Sequence, residues 1–149
     1  MKDIVRLSLE DLDCFLESLR IYFPEDKINR EVWIELFEDE RTFAYAIKEN
    51  EVIKSCIAIY NWKGENDYIK IMTIGTDPEF RNKGYAHILM QHIIDESLKD
   101  DMHIFKAETR ESNIKMQRVF EDFGYSVTNK VEGYFEDPVE TAYKYSLEV

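Results

Sequence analysis

Between Ile71 and Met90 the sequence reads IMTIGTDPEFRNKGYAHILM, and it changes period there. Apolar and β-branched residues up to Thr76 suit a strand. Asp77 and Pro78 end it, Arg81-Asn82-Lys83-Gly84 forms a loop, and Ala86, Leu89, Met90, Ile93, Ile94 and Leu98 then repeat at helical spacing. A further strand is expected from His103 to Thr109. A strand that feeds a helix and then another strand needs a sheet with a helix packed on its face, which restricts the chain to the α/β classes.

The flanking segments fill in that sheet. Ile4 to Leu7 reads as a short strand, and Ser8 caps a helix carrying Leu9, Leu12, Leu16 and Leu19, with Asp11 three residues after the cap. Pro24 interrupts, and a second helix runs around Arg30 to Phe37. Thr42 to Lys48 and Val52 to Tyr60 form a hairpin through Glu49-Asn50-Glu51, and Tyr68 to Thr76 follows. Beyond the central unit, Ser112 or Asn113 caps a helix with Met116, Val119, Phe120 and Phe123 on its apolar face, and Gly124 ends it. Tyr125 to Val131 and Ala142 to Leu147 are the last strands. The expected order is β-α-α-β-β-β-α-β-α-β-β, a mixed α/β (α+β) sheet with helices on both faces, in a single domain over residues 1–149.

Composition narrows the function. The formal net charge of −12 argues against nucleic acid, whose phosphates need a basic face. No apolar run approaches a membrane span, and the N-terminal residues lack the apolar stretch of a signal peptide, so a cytoplasmic protein is expected. Cys14 and Cys56 read as buried thiols rather than a disulfide. His87 and His92 are five residues apart, off a shared helical face, and His103 stands alone, so no metal is expected.

Against that acidic background, Arg81 and Lys83 sit beside a glycine at a helix start. The first amides of a helix lack partners and its N-terminus is partially positive, so the loop suits an anion such as a pyrophosphate. Gly84 leaves room for the backbone to approach, and Ala86 is nearly as small. A triphosphate-binding loop would need Gly-Lys-Ser/Thr, and a dinucleotide fingerprint a preceding Gly-x-Gly; neither is present.

Taken in order, Ile74-Gly75-Thr76-Asp77-Pro78, Arg81-x-x-Gly84-x-Ala86, Glu108-Thr109-Arg110-Glu111-Ser112-Asn113 and Phe123-Gly124-Tyr125 resemble the GNAT superfamily of N-acetyltransferases over nearly the whole chain. The resemblance implies a mostly antiparallel sheet with one splayed strand pair, and acetyl-CoA as cosubstrate. It implies that the amides of Arg81, Asn82, Lys83, Gly84, Tyr85 and Ala86 hold the CoA pyrophosphate. The backbone at Ile74 and Thr76 would hold pantetheine and the thioester, and Asn113 would contact the CoA arm while capping its helix. Gly75 is expected to let the strand bend or bulge.

For the base, Glu108 stands near the middle of a strand, where burial carries a desolvation penalty. At the matching position some family members use a glutamate to deprotonate an N-terminal amine. A salt bridge to Lys106 or Arg110 is the competing reading. For the acid, the family often has a tyrosine where this chain has Phe120. Tyr134 is the candidate substitute, with a rim aromatic as its alternative; a thiol of pKa about 8.5 also leaves tolerably unaided. Trp33 and Trp62 are expected to pack or line the rim, and Glu35, Glu38 and Asp39 to attract a cationic acceptor. The expected activity is acetyl transfer to a primary amine: a small polyamine, an amino sugar or a peptide N-terminus. Glu108 to Asn113 and Gly133-Tyr134-Phe135 resemble the members that modify the N-terminus of a ribosomal protein. The other reading is a CoA-binding sensor that has lost catalysis, as Phe120 suggests. Monomer and homodimer both remain open.

Overall fold

A computed structural model describes residues 3–149. Its strands form one seven-stranded sheet in the order β1-β2-β3-β4-β5-β7-β6. The elements are β1 (Ile4–Leu7), α1 (Leu12–Tyr22), α2 (Arg30–Glu38), β2 (Thr42–Glu49), β3 (Val52–Asn61), β4 (Ile69–Thr76), α3 (Tyr85–Lys99), β5 (Ile104–Arg110), α4 (Ile114–Asp122), β6 (Ser126–Phe135) and β7 (Glu140–Glu148). All strand pairs are antiparallel except β4 with β5. The order and class agree with the expectation from sequence.

Two apolar layers sandwich β2 and β3. On one face Leu12, Phe15, Leu16 and Leu19 of α1 pack on Ala44, Ala46, Cys56 and Ala58. Those strand residues are small, so the helices approach closely, and Phe15 meets Trp33 and Phe37 of α2 at 5.0 and 5.1 Å between ring centroids. On the other face Leu89, Met90 and Ile93 of α3 pack on Ile57, Ile59, Ile69 and Ile71. The alternation along β2 and β3 therefore separates small from large residues, and both kinds are buried.

Several local expectations are corrected. Ser8 heads a short 3-10 turn over Leu9–Asp11, its amide donating to Asp11 Oδ2 at 2.8 Å, and the α-helix starts at Leu12. Cys14 is exposed, because it falls beside the apolar stripe of α1; Cys56 is buried, and both are free thiols. Tyr134 lies inside β6, which runs on through a register break and Gly133 at φ 65° to Phe135. The irregularity in β4 falls opposite Ala58/Ile59, between Ile71 and Thr73, and not at Gly75. Gly75 is small for another reason: a Cβ there would sit 2.7 Å from the Tyr22 ring and 2.9 Å from that of Phe23.

Candidate active site

β4 and β5 pair only at their beginnings, Ile69 with Phe105 and Lys70 with Lys106. Beyond that point β4 stays with β3 as far as Thr76, and β5 stays with β7 as far as Arg110. The two strands thus open into a fork, the splayed pair that the resemblance implies. The Asp77 amide donates to the Lys54 carbonyl of β3 at 2.8 Å. Main-chain direction alternates along an antiparallel strand, so Gly75 also faces β3, and Thr76 and Ile74 turn their main-chain groups into the fork. The Ile74 side chain, by contrast, is buried under α3.

The loop that follows is shaped by backbone conformation. Asn82 and Gly84 adopt φ of 65° and 81°, and α3 begins at Tyr85. A Cβ at Gly84 would meet nothing within 4 Å, so the left-handed backbone, not crowding by the protein, calls for glycine. The first turn of α3 carries no acidic residue, and Gly84 at its cap supplies no side chain. Arg81 is occupied: its Nε donates to the Thr76 carbonyl at 3.1 Å and Nη2 to the Tyr22 carbonyl at 3.4 Å. Lys83 and Lys54 place their ammoniums 4.9 and 4.3 Å from the centre of the Phe80 ring. Tyr85 is buried and stacks on Phe80, and Ala86 packs against the core. Asn113 caps α4 by accepting from the Met116 amide at 3.1 Å, just beyond the end of β5. Loop and helix start thus follow directly on the strand that forms one side of the fork.

The two residues singled out for proton transfer meet. The Tyr134 hydroxyl donates to Glu108 Oε1 at 2.7 Å. Glu108 Oε2 is buried and lies 3.1 Å from Lys70 Nζ and 3.5 Å from Lys144 Nζ, as charge contacts rather than aligned hydrogen bonds. Lys144 also lies 4.5 Å over the Tyr134 ring. Burial pushes the Glu108 carboxyl up, but the Tyr134 hydroxyl and the two lysines outweigh it and hold the group below its ordinary value. The same hydrogen bond, with burial and the nearby negative charge, pushes Tyr134 up to about 12. Lys106 and Arg110, the partners suggested by sequence, share the Glu108 face but are engaged elsewhere. Lys106 lies over Tyr68, and Arg110 donates to the carbonyls of Pro138 and Glu136 and pairs with Glu140 and Asp26.

Above the fork lies a cleft of about 360 Å³, bordered by Leu19, Phe23, Ile28, Trp33 and Met72, with Arg110 and the β6–β7 turn on the opposite side. Two ion pairs join its walls: Lys27 to Asp137 at 2.9 Å and Arg110 to Asp26 at 3.5 Å. Trp33 lines this cleft, and Trp62 packs between Tyr60 and Tyr68 instead. Glu35, Glu38 and Asp39 do not border it. Glu38 and Asp39 edge a separate hollow of about 390 Å³ beside Ser8 and Thr42. Asp39 is held low by the Arg41 amide and the Tyr60 hydroxyl.

Phe120 is sealed in the core, 5.0 Å from Tyr145 and 5.4 Å from Tyr125 between ring centroids. His87 pairs with Asp122 at 2.9 Å and His92 packs on Tyr45. Among the described residues no group of three or more His, Cys, Asp or Glu could hold a metal, and no helix is long and apolar enough to cross a membrane. Lys70 and Lys144 had no signal in the sequence; only the pairing of β4, β5 and β7 brings them to Glu108.

Comparison with known proteins follows the same lines. The model of the acetyltransferase (GNAT) family matches residues 6–125. The sequence matches none of the curated proteins with which it was compared. Among solved structures, the ribosomal-protein-S18-alanine N-acetyltransferase of Escherichia coli superposes with a TM-score of 0.88 at 20% identity, covering 100% of this chain and 94% of the other. NAA60 of Arabidopsis thaliana, in complex with acetyl-CoA, gives 0.86 at 12% identity over 100% and 99% of the two chains. Ard1 of Thermoplasma volcanium gives 0.82 at 18% identity over 99% and 97%. At these identities the likeness speaks to the fold.

Proposed function

From its membership of the acetyltransferase (GNAT) family, we propose that this chain transfers the acetyl group of acetyl-CoA to a primary amine, bound in the cleft above the fork. The observation that carries the reading is the coincidence of three features: a donor-lined loop, a fork beside it, and an ionised carboxylate facing the cleft side of that fork.

In this reading the amides from Arg81 to Ala86 hold the diphosphate, with Arg81 tying the loop to the strand end rather than contributing its charge. Asn113 stands at the mouth of the fork, beside the arm. The main chain at Ile74 and Thr76 orients the thioester carbonyl and stabilises its oxygen as charge develops. The amine nitrogen bonds to the acetyl carbon, the carbon–sulfur bond breaks, and the amine gives up one proton. Glu108 takes that proton, directly or through water. The Tyr134 hydroxyl is a weak acid while Glu108 is ionised, because that charge raises it. Once Glu108 is protonated this cause disappears, and the phenol becomes a better donor to the departing sulfur. The thiol's ordinary pKa of about 8.5 lets it leave as thiolate if no proton arrives. An α-amine, near about 8, needs less help from a single base than a lysine near about 10.4. Two free thiols, one exposed, accord with a reducing, cytoplasmic setting.

The test is thiol release from acetyl-CoA, with and without an amine panel. Glu108→Gln should lower kcat/KM by about 10²-fold or more while acetyl-CoA binding survives. Failure of the folded protein to bind acetyl-CoA would overturn the assignment; binding without turnover on any amine would favour a sensor.

A further inference from the structure

Residues paired across strands share a face of the sheet, and alternate residues along a strand return to it. Lys70 pairs with Lys106, Glu108 pairs with Lys144, and Glu108 alternates with Lys106 and Arg110 along β5. These residues therefore occupy one face. Met72, two residues after Lys70, and Arg110 both border the cleft, so the cleft opens on this same face. The apolar cluster under α1 and α2 takes its strand residues from β1, β2 and β3 and contains none of β4 to β7. The strip around Lys70, Glu108 and Lys144 consequently lies outside that helical cover, with the Tyr134 hydroxyl reaching over to Glu108. It carries Lys70 and Lys144 against the Glu108 carboxylate and Lys106 over the Tyr68 ring, within a chain of net charge −12. The next carboxylates on this face of β7 are Glu140, which is paired with Arg110, and Glu148, at the two ends of the strand.

Resting on the acetyl-transfer reading, we propose that the acceptor is a polypeptide N-terminus whose first side chain is apolar and whose next residues are acidic. The wall formed by Leu19, Phe23, Ile28, Trp33 and Met72 receives the apolar side chain. An extended chain advances about 3.3–3.6 Å per residue, so carboxylates at the second and third positions fall within reach of Lys70, Lys144 and Lys106. The same lysines repel a second ammonium on the acceptor. A polyamine or a lysine-rich peptide brings such charges, and of the three carboxylates that line the cleft Asp26 and Asp137 are already paired with Arg110 and Lys27, which leaves Glu136 against the lysines of the strip. The ammoniums beside Glu108 also favour the neutral, reactive form of the incoming amine.

The experiment compares kcat/KM, by thiol release, for three hexapeptides that begin with methionine. One continues with two glutamates, one with two serines and one with two lysines; spermidine is the fourth acceptor. The acidic peptide should exceed the basic one by about tenfold at low salt, and the gap should narrow as added salt screens it. Lys106 touches neither Glu108 nor the loop. Lys106→Glu should therefore reduce the acidic preference several-fold, lowering kcat/KM for the acidic peptide more than for the serine peptide; an unchanged ratio would overturn the inference. Equal or better use of the lysine peptide or spermidine would overturn the inference while leaving acetyl transfer intact. Absence of thiol release with every amine would instead remove the acetyl-transfer reading, and this inference with it.

Discussion

The two halves of the sheet are built to opposite rules. In β2 and β3 both faces are buried, small residues under α1 and α2 and large ones under α3, while β4 buries Ile69, Ile71 and Ile74 and shows Lys70 and Met72 on its other face. From β5 to β7 one face buries Phe105, Ala107 and Tyr145 with Phe120 and Tyr125, and the other shows Lys106, Glu108 and Lys144. The fork marks the boundary. A strand covered on both faces has no place for an ionised side chain, and a strand covered on one face does. The first half supplies rigidity, and the second supplies a carboxylate that stays charged beside an apolar cleft.

The sharpest way to break this contrast is to truncate one residue in each half. Phe15→Ala removes a fully buried ring between α1 and α2 and should cost about 3–5 kcal/mol in urea unfolding. Val127→Ala, on the exposed β6, should change stability by no more than about 0.5 kcal/mol. Similar losses at the two sites would show that the open half carries as much of the core as the closed one.

The next test separates the loop from both halves. Gly84→Val imposes a side chain on a left-handed backbone, a local strain of about 1–2 kcal/mol. Because its Cβ meets no protein atom, the melting temperature should fall little, whereas acetyl-CoA affinity by calorimetry should fall about tenfold. Unchanged affinity would detach the loop from the site.

Lys70→Met probes the open face through pH. The Glu108 carboxyl is depressed in the folded protein, so the stability it contributes is present above the ordinary carboxylate value. That stability is lost as pH falls through the depressed value. Removing Lys70 takes away one cause of the depression, and the acid limb of the rate profile should move to higher pH. A limb that stays in place would mean that Glu108 is not the group titrating there.

The smallest effect is expected at the rim. Lys27→Ala breaks an exposed ion pair across the cleft and should leave stability almost untouched. It should raise KM for the acceptor modestly without changing kcat.

How far the sequence could be read divides along the same boundary. Elements with one dominant period were legible: α3 from its stripe, the β2–β3 hairpin from its alternation, the anion loop from glycine at a helix start. The family motifs then pointed to Glu108 and Tyr134. Their hydrogen bond was not legible, because Glu132-Gly133 looks like a break, and only the β6–β7 pairing shows that the strand continues. Lys70 lies 38 positions before Glu108, and nothing local joins them; strand order does. The reason for Gly75 was equally hidden, since it lies in the end of α1, where Tyr22 and Phe23 press on the strand. Cys14, by contrast, could have been read as exposed, because it falls beside the stripe made by Leu12, Phe15, Leu16 and Leu19.

β6 forms one border of the sheet, and its pairing with β7 slips twice, between Val127 and Asn129 and again between Val131 and Phe135. A free border ordinarily serves as a template on which another chain can lay down a strand. Here the slips twist the outer row of amides and carbonyls out of step, with Lys130 between them and Glu132 within the second. An incoming strand would find only short stretches in register, so this protein can leave a working surface bare without recruiting copies of itself into fibres.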